Sequence, residues 1–201
     1  MNKQTILTIS KSIVIIFILL AVVFALKAPA SDITYFGEDG KANYIDSSGL
    51  PYFSEMDSYY NLRLTQDYAD HGFVGDEIIN GSEWDMHRYA PDGNQINYEL
   101  GIVYLTNWLH DVANSFFGGN YSIKEIAFWT GPIISSLAVI SAFIFARRIS
   151  NDWGAIVATL IIVLAPNYFS HTFAGFFDTD MFYYIFSLLF VFFFVECIRT
   201  D

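Results

Sequence analysis

Met181-Phe182-Tyr183-Tyr184-Ile185-Phe186-Ser187-Leu188-Leu189-Phe190-Val191-Phe192-Phe193-Phe194-Val195-Glu196-Cys197-Ile198 is almost wholly Phe, Tyr, Leu and Val. Its length approaches the roughly 20 residues that a helix needs to cross a bilayer. Three other apolar runs precede it, with cores at 12–26, about 125–146 and 153–165, where Pro166 weakens helix continuation. Spans are therefore expected at about 8–28, 125–146, 153–170 and 181–198, leaving 29–124 as one long loop. The fold class is all-α: a polytopic helical membrane protein of about four transmembrane helices, whose long extracytoplasmic first loop contains amphipathic helices.

Composition agrees. Of 201 residues 54% are apolar, with 20 Phe and 13 Tyr, and the mean hydropathy is +0.37. That is too apolar and too aromatic for an ordinary soluble domain. The net charge of −11 supplies no basic surface and excludes nucleic acid as a partner. A lone Cys197 cannot form an internal disulfide, and no Cys/His spacing resembles a zinc site.

Charge orients the spans. Lys3 and Lys11 precede the first apolar core, Arg147-Arg148 separates the second from the third, and Arg199 follows the fourth. The basic residues mark one side, expected to be cytoplasmic, with the N-terminus on it. The segment 28–124 holds 15 Asp/Glu against 4 Lys/Arg and is expected outside the cell membrane together with the 178–180 loop. Lys3, Lys11, a short apolar core and Ala28-Pro29-Ala30-Ser31 also fit a cleavable signal peptide. Either reading exports 28–124.

Within that loop, Tyr60, Leu64 and Tyr68 recur at helical spacing over 57–71, with Asp57 or Ser58 as the cap and Gly72 as the stop. Over 98–117, Leu100, Tyr104, Trp108, Val112 and Phe116 form a stripe opposite Asn107, Asp111 and Asn114, ended by Gly118-Gly119. An aromatic helix of this kind suits a membrane interface or packing on a membrane core.

The chemistry-bearing residues are acidic. Asp57 stands in Glu55-Met56-Asp57-Ser58-Tyr59-Tyr60-Asn61-Leu62-Arg63, and Asp178-Thr179-Asp180 lies between the last two spans. Taken alone, Asp57 is first a candidate N-cap. Asp178 and Asp180 are held against the bilayer by Phe176-Phe177 and Met181-Phe182, where unpaired charge is costly. The topology puts all three carboxylates at one membrane face, where hard oxygen ligands suit a divalent cation and a phosphorylated donor. If both later carboxylates bind one ion, 178–180 cannot be regular helix, and Ala174-Gly175 gives the backbone room to bend. His71, His87 and His110 read as surface or packing residues, and the sequons Asn80-Gly81-Ser82 and Asn120-Tyr121-Ser122 as chance triplets.

The stretch Asp57-Ser58-Tyr59-Tyr60-Asn61-Leu62-Arg63, with Ala174-Gly175-Phe176-Phe177-Asp178-Thr179-Asp180-Met181, resembles the two N-terminal acidic motifs of the catalytic subunit of oligosaccharyltransferase, in its archaeal and bacterial single-subunit form. The resemblance covers essentially the whole chain, 1–201, as the N-terminal part of a multi-span C-type glycosyltransferase domain. It implies transfer of a preassembled glycan from a polyprenyl phosphate or pyrophosphate carrier to Asn in Asn-X-Ser/Thr, with Mg²⁺ or Mn²⁺ as cofactor. The implied partners are a lipid-linked oligosaccharide, an acceptor polypeptide and the membrane.

Carried over by motif position, Asp57 contacts both metal and acceptor amide, Asp178 is a metal ligand, and Asp180 is a ligand or orients one. His171 is a substrate-binding candidate where relatives carry Arg, and a histidine there is only partly charged near neutral pH. The acceptor-reading Trp-Trp-Asp motif and a further acidic loop of the family are not in this sequence, so the chain is expected to be inactive alone. Two other functions fit the same pattern: another C-type glycosyltransferase, O-mannosyl or lipid-modifying, and a non-enzymatic membrane subunit or transporter.

Overall fold

The computed structural model describes residues 3–32, 37–98 and 100–199. Residues 33–36 and 99 of the first loop lie outside the described residues, as does the Lys3 side chain used above to orient the first span. In chain order the elements are α1 (Lys3–Lys27), a 3₁₀ turn (Ala28–Ser31), α2 (Gly37–Lys41), α3 (Met56–His71), β1 (Glu77–Ile79), β2 (Ser82–Asp85), β3 (Asn94–Gln95), α4 (Gly101–Phe117), α5 (Ile123–Ser136), α6 (Ala138–Ile149), α7 (Asp152–Val163), α8 (Pro166–Ser170), a 3₁₀ turn (Thr179–Phe182) and α9 (Tyr183–Arg199). They divide into two compact units, one of Met1–Ala42, Gly131–Ala174 and Thr179–Asp201, the other of Asn43–Thr130 and Gly175–Asp178.

Three helical runs, Gln4–Lys27, Ile123–Ile149 and Thr179–Arg199, are long and apolar enough to cross a membrane. The expected third span is different. α7 stops at Val163, and 12 residues rise only about 18 Å against a hydrocarbon core of about 30 Å. The cause is local: Pro166 forces Ala165 into an extended conformation, ψ 131, and α8 begins at the proline itself.

The first unit has one apolar core. Leu19 and Val23 of α1 bury against Ala138, Val139, Ala142, Phe143 and Ala146 of α6, with Ala155 and Val163 of α7 and Tyr168 of α8. Small residues along α6 let the backbones approach closely, as helices must where no water drives them together. The basic residues gather at one end of this bundle. Lys11 pairs with Asp152 at 2.6 Å, Arg147 also meets Asp152, and Arg148 grips both oxygens of Glu196 at 2.6 and 3.1 Å.

The second unit packs α3 on α4. Leu64 and Thr65 are buried against Ile102, Val103 and Asn107, Asn107 donates to the Thr65 carbonyl at 3.1 Å, and the rings of Tyr68 and Tyr104 meet edge to face. This corrects the helical wheel read from sequence. Asn107, placed there on the polar face, is buried and bonded, while Tyr104, Trp108 and Phe116 are exposed. The buried face of α4 is the short set Ile102, Val103, Thr106 and Asn107, and Tyr104 of the aromatic stripe meets α3 at the edge of that face. A three-stranded antiparallel sheet, β1-β2-β3, was not anticipated, although Asn80-Gly81 carries its signal. Both residues have positive φ, as a two-residue turn between paired strands requires.

Two local anchors matter for the site. Pro132 lies inside α5 and has no N–H to offer the Phe128 carbonyl four residues back. That carbonyl instead accepts from Gly175 N–H at 2.9 Å, and the Gly175 carbonyl accepts from Ser54 N–H at 3.0 Å. Gly175 has φ +88, and a β-carbon there would stand 2.9 Å from the Phe128 ring. We expect Gly175→Ala to destabilise the protein by about 1–2 kcal/mol from the left-handed backbone alone, with the clash in addition. The check is a lowered thermal midpoint in detergent; an unchanged midpoint would contradict the anchor.

Candidate functional site

Asp57 occupies the first turn of α3, but the N-cap is Glu55, so the capping role expected for Asp57 or Ser58 does not hold. Helix entry comes one residue pair earlier than the capping signal suggested. The end is as expected: Gly72 closes α3 at φ 77 with its N–H on the Tyr68 carbonyl.

The first turns of α3 hold the second acidic motif. Ser58, fully buried, accepts from Phe177 N–H at 2.8 Å. Asn61 donates to the Phe177 carbonyl at 3.1 Å and to Asp178 Oδ1 at 3.3 Å. Asn61 is one turn on from Asp57, and residues four apart are neighbours on a helix surface. Phe53, Phe128 and Phe177 close the apolar side of this segment with centroid separations of 5.9 and 6.4 Å about Phe53. Asp57 and Asp178 are thus carried by backbone segments tied to each other in one unit. Asn61 was within the quoted motif but had no assigned role; its spacing from Asp57 is the signal that could have found it.

At 100° per residue, Ser58, Asn61 and Thr65 share the face of α3 that meets Phe177 and Asp178. Met56, Tyr60 and Arg63 lie on the other flank and line a cavity of about 720 Å³. Asp57 falls between the two flanks, is exposed, and also lines the cavity.

That cavity is braced by an ion-pair node. Arg63 Nη2 meets Asp85 Oδ2 at 2.6 Å, and the Asp85 side chain is 0% exposed. Tyr60 donates to the same oxygen at 2.9 Å and shares a short hydrogen bond with Tyr98. The backbone N–H groups of His87 and Arg88 satisfy Asp85 Oδ1. Burial alone would raise the Asp85 carboxyl, but bonds from Tyr60 and Arg63 outweigh it and hold the group below its ordinary value. Burial, followed by the bonds with Tyr98 and Asp85, raises the Tyr60 phenol.

Among the described residues, donor atoms of Asp76, Asp85 and His87 lie within 4.8 Å of one another, a spacing that could hold a metal ion. Arg63 already contacts both carboxylates, at 2.6 Å for Asp85 and 3.4 Å for Asp76. The positive charge of this cluster comes from the chain itself, and the cluster is a structural brace.

Asp180 and His171 belong to the first unit. The segment does not stay extended: Asp178 sits in a bend and Asp180 in the 3₁₀ turn Thr179–Phe182. Asp180, His171, Asn167, Tyr168, Tyr183 and Tyr184 line a cavity of about 350 Å³. His171 Nδ1 lies 2.7 Å from the Asn167 carbonyl, which can only accept, so the proton of the neutral ring is on Nδ1.

With this geometry in view, the comparisons with known proteins are specific. Residues 13–201 match the family model described as oligosaccharyl transferase STT3, N-terminal. The chain belongs to the STT3 family of oligosaccharyl transferases. It is 31% identical over 196 residues to a dolichyl-phosphooligosaccharide-protein glycotransferase of Methanococcus voltae, covering 94% of this chain and 21% of that protein. A protein of the same name from Methanocaldococcus jannaschii is 29% identical over 199 residues, with 95% and 21% covered. An undecaprenyl-diphosphooligosaccharide--protein glycotransferase of Campylobacter jejuni is 28% identical over 101 residues, with 50% and 13% covered. The chain thus spans about a fifth of the length of the archaeal STT3 relatives that it matches.

The brace has a pH signature. A carboxyl whose folded pKa is depressed stabilises the fold above its unfolded value, near 3.8, and that stability is lost as pH falls from there through the folded pKa. Denaturation followed between pH 6 and pH 2 should show stability falling below about pH 4. Asp85→Asn should lower stability at pH 6 and flatten the acid limb; an acid limb identical to that of the unaltered protein would refute the brace.

Proposed function

We propose that the chain is the N-terminal part of a membrane glycosyltransferase that moves a preassembled glycan from a polyprenyl phosphate or pyrophosphate carrier to the side-chain amide of Asn in Asn-X-Ser/Thr. The observation that carries this is the set of three hydrogen bonds that tie Ser58 and Asn61 to residues 177 and 178 and hold the Asp178 segment against the first turns of α3, which bear Asp57. The names of the archaeal and bacterial relatives support the donor and acceptor classes.

The donor set fits a hard divalent cation. Asp57 and Asp178 offer carboxylate oxygens, the ligand type that suits Mg²⁺ or Mn²⁺, and Asn61 orients Asp178 from behind as ligand-supporting groups do. Asp57 and Asp178 would hold such an ion, which would supply positive charge against the departing phosphate.

The chain's own residues supply the rest. An amide nitrogen is a poor nucleophile because its lone pair is delocalised into the carbonyl. Asp57, placed between the Asp178 segment and the 720 Å³ cavity, can accept N–H bonds from an acceptor amide entering on the cavity side and hold it for attack at the sugar carbon. Displacement is direct, with inversion and no covalent enzyme intermediate. Asp180, by motif position a ligand or a ligand-orienting group, and His171 both line the smaller cavity, where they can meet the polar end of the donor. The basic end of the first unit is cytoplasmic, which puts the acidic loops outside.

In the complete protein, Asp57→Ala and Asp178→Ala should each lower glycan transfer to a sequon peptide by about 100-fold or more. Undiminished transfer in either would refute the catalytic assignment. Asn61→Ala should weaken Mn²⁺ binding about 10- to 100-fold, read by calorimetry or by electron paramagnetic resonance of the ion. An unchanged affinity would remove Asn61 from the site.

A further inference from the structure

Lys27 closes α1, and its side chain is 0% exposed. A cation at a helix C-terminus ordinarily complements the dipole and reaches for water. This one turns inward. Nζ donates to Ser135 Oγ at 2.8 Å and Thr172 Oγ1 at 2.5 Å, and lies 4.4 Å from the centroid of the Tyr168 ring. Two hydroxyls and one aromatic face use up the donors of an ammonium. No carboxylate lies within ion-pair distance of it among the described residues. A buried amine with only neutral partners is an expensive way to fill space that an apolar side chain would fill without desolvation.

The partners lead to the smaller cavity. Thr172 Oγ1 donates onward to the Tyr168 carbonyl at 2.5 Å. Tyr168 donates its hydroxyl to the Met181 carbonyl at 2.9 Å, one residue after Asp180, and its ring meets that of Tyr184 at 4.6 Å. Tyr168 is therefore both a wall of the cavity and the tether of the 3₁₀ turn that carries Asp180. His171, which lines the same cavity, is the chain neighbour of Thr172. We infer that Lys27 is a positioning residue, which fixes Tyr168 and Thr172 and through them sets the placement of Asp180 and His171. All of these groups belong to the first unit.

The inference rests on the glycan-transfer reading, and the test separates the two. In the complete protein, with a lipid-linked donor and a sequon peptide, Lys27→Met and Tyr168→Phe should each lower kcat by about 10- to 100-fold. The acceptor KM should stay within about twofold, and the thermal midpoint should be little changed. The double variant should be no worse than the more impaired single one, because both act through one tether. Thr172→Val should share the defect and Thr172→Ser should not, a comparison that serves also if Lys27→Met does not fold.

Wild-type kcat in a folded Lys27→Met protein, multiplied losses in the double variant, or equal activity of Thr172→Val and Thr172→Ser would each overturn the positioning role. Asp57→Ala, measured alongside, tells the two apart. Its inactivity beside an unimpaired Lys27→Met sinks only the role of Lys27, whereas full activity of Asp57→Ala sinks the site reading itself.

Discussion

The attachment of residues 175–178 to α3 is the constraint on which the rest of the second unit depends. A loop carrying a carboxylate has no internal ladder to satisfy its backbone, and buried backbone groups must find partners. Here each partner is specific: the Phe128 carbonyl for Gly175 N–H, Ser54 N–H for the Gly175 carbonyl, Ser58 for Phe177 N–H and Asn61 for the Phe177 carbonyl. The loop can then occupy one position, and Asp178 follows from it. The same two side chains of α3 that satisfy the loop stand one residue and one turn along from Asp57.

Charge in the second unit is gathered into one node. Its several carboxylates would repel one another without compensation. Arg63 binds Asp85 and Asp76, with Tyr60 and backbone N–H groups completing the shell of Asp85. Asp57 is left outside this node, at the edge of the cavity that the node braces. In the first unit, ion pairs of Lys11, Arg147 and Arg148 collect at one end, and the buried amine of Lys27 organises the polar groups around Tyr168.

Membership of the STT3 family gives these arrangements their setting. The face of α3 bonded to residues 177 and 178 and the flank lining the larger cavity lie on either side of Asp57.

Much of this was legible in the residues. Apolar length and basic flanks gave the helical membrane class, the motif pair around Asp57 and Asp178 gave the family, and Gly72, Gly118 and Gly175 stand at the turns their lack of a β-carbon permits. These are local properties, fixed by composition and by backbone sterics. The burial of Asn107 and the inward turn of Lys27 were decided only in three dimensions. Each depends on which neighbour is present to accept a hydrogen bond or cover a face, and a residue's own chemistry does not name its partner.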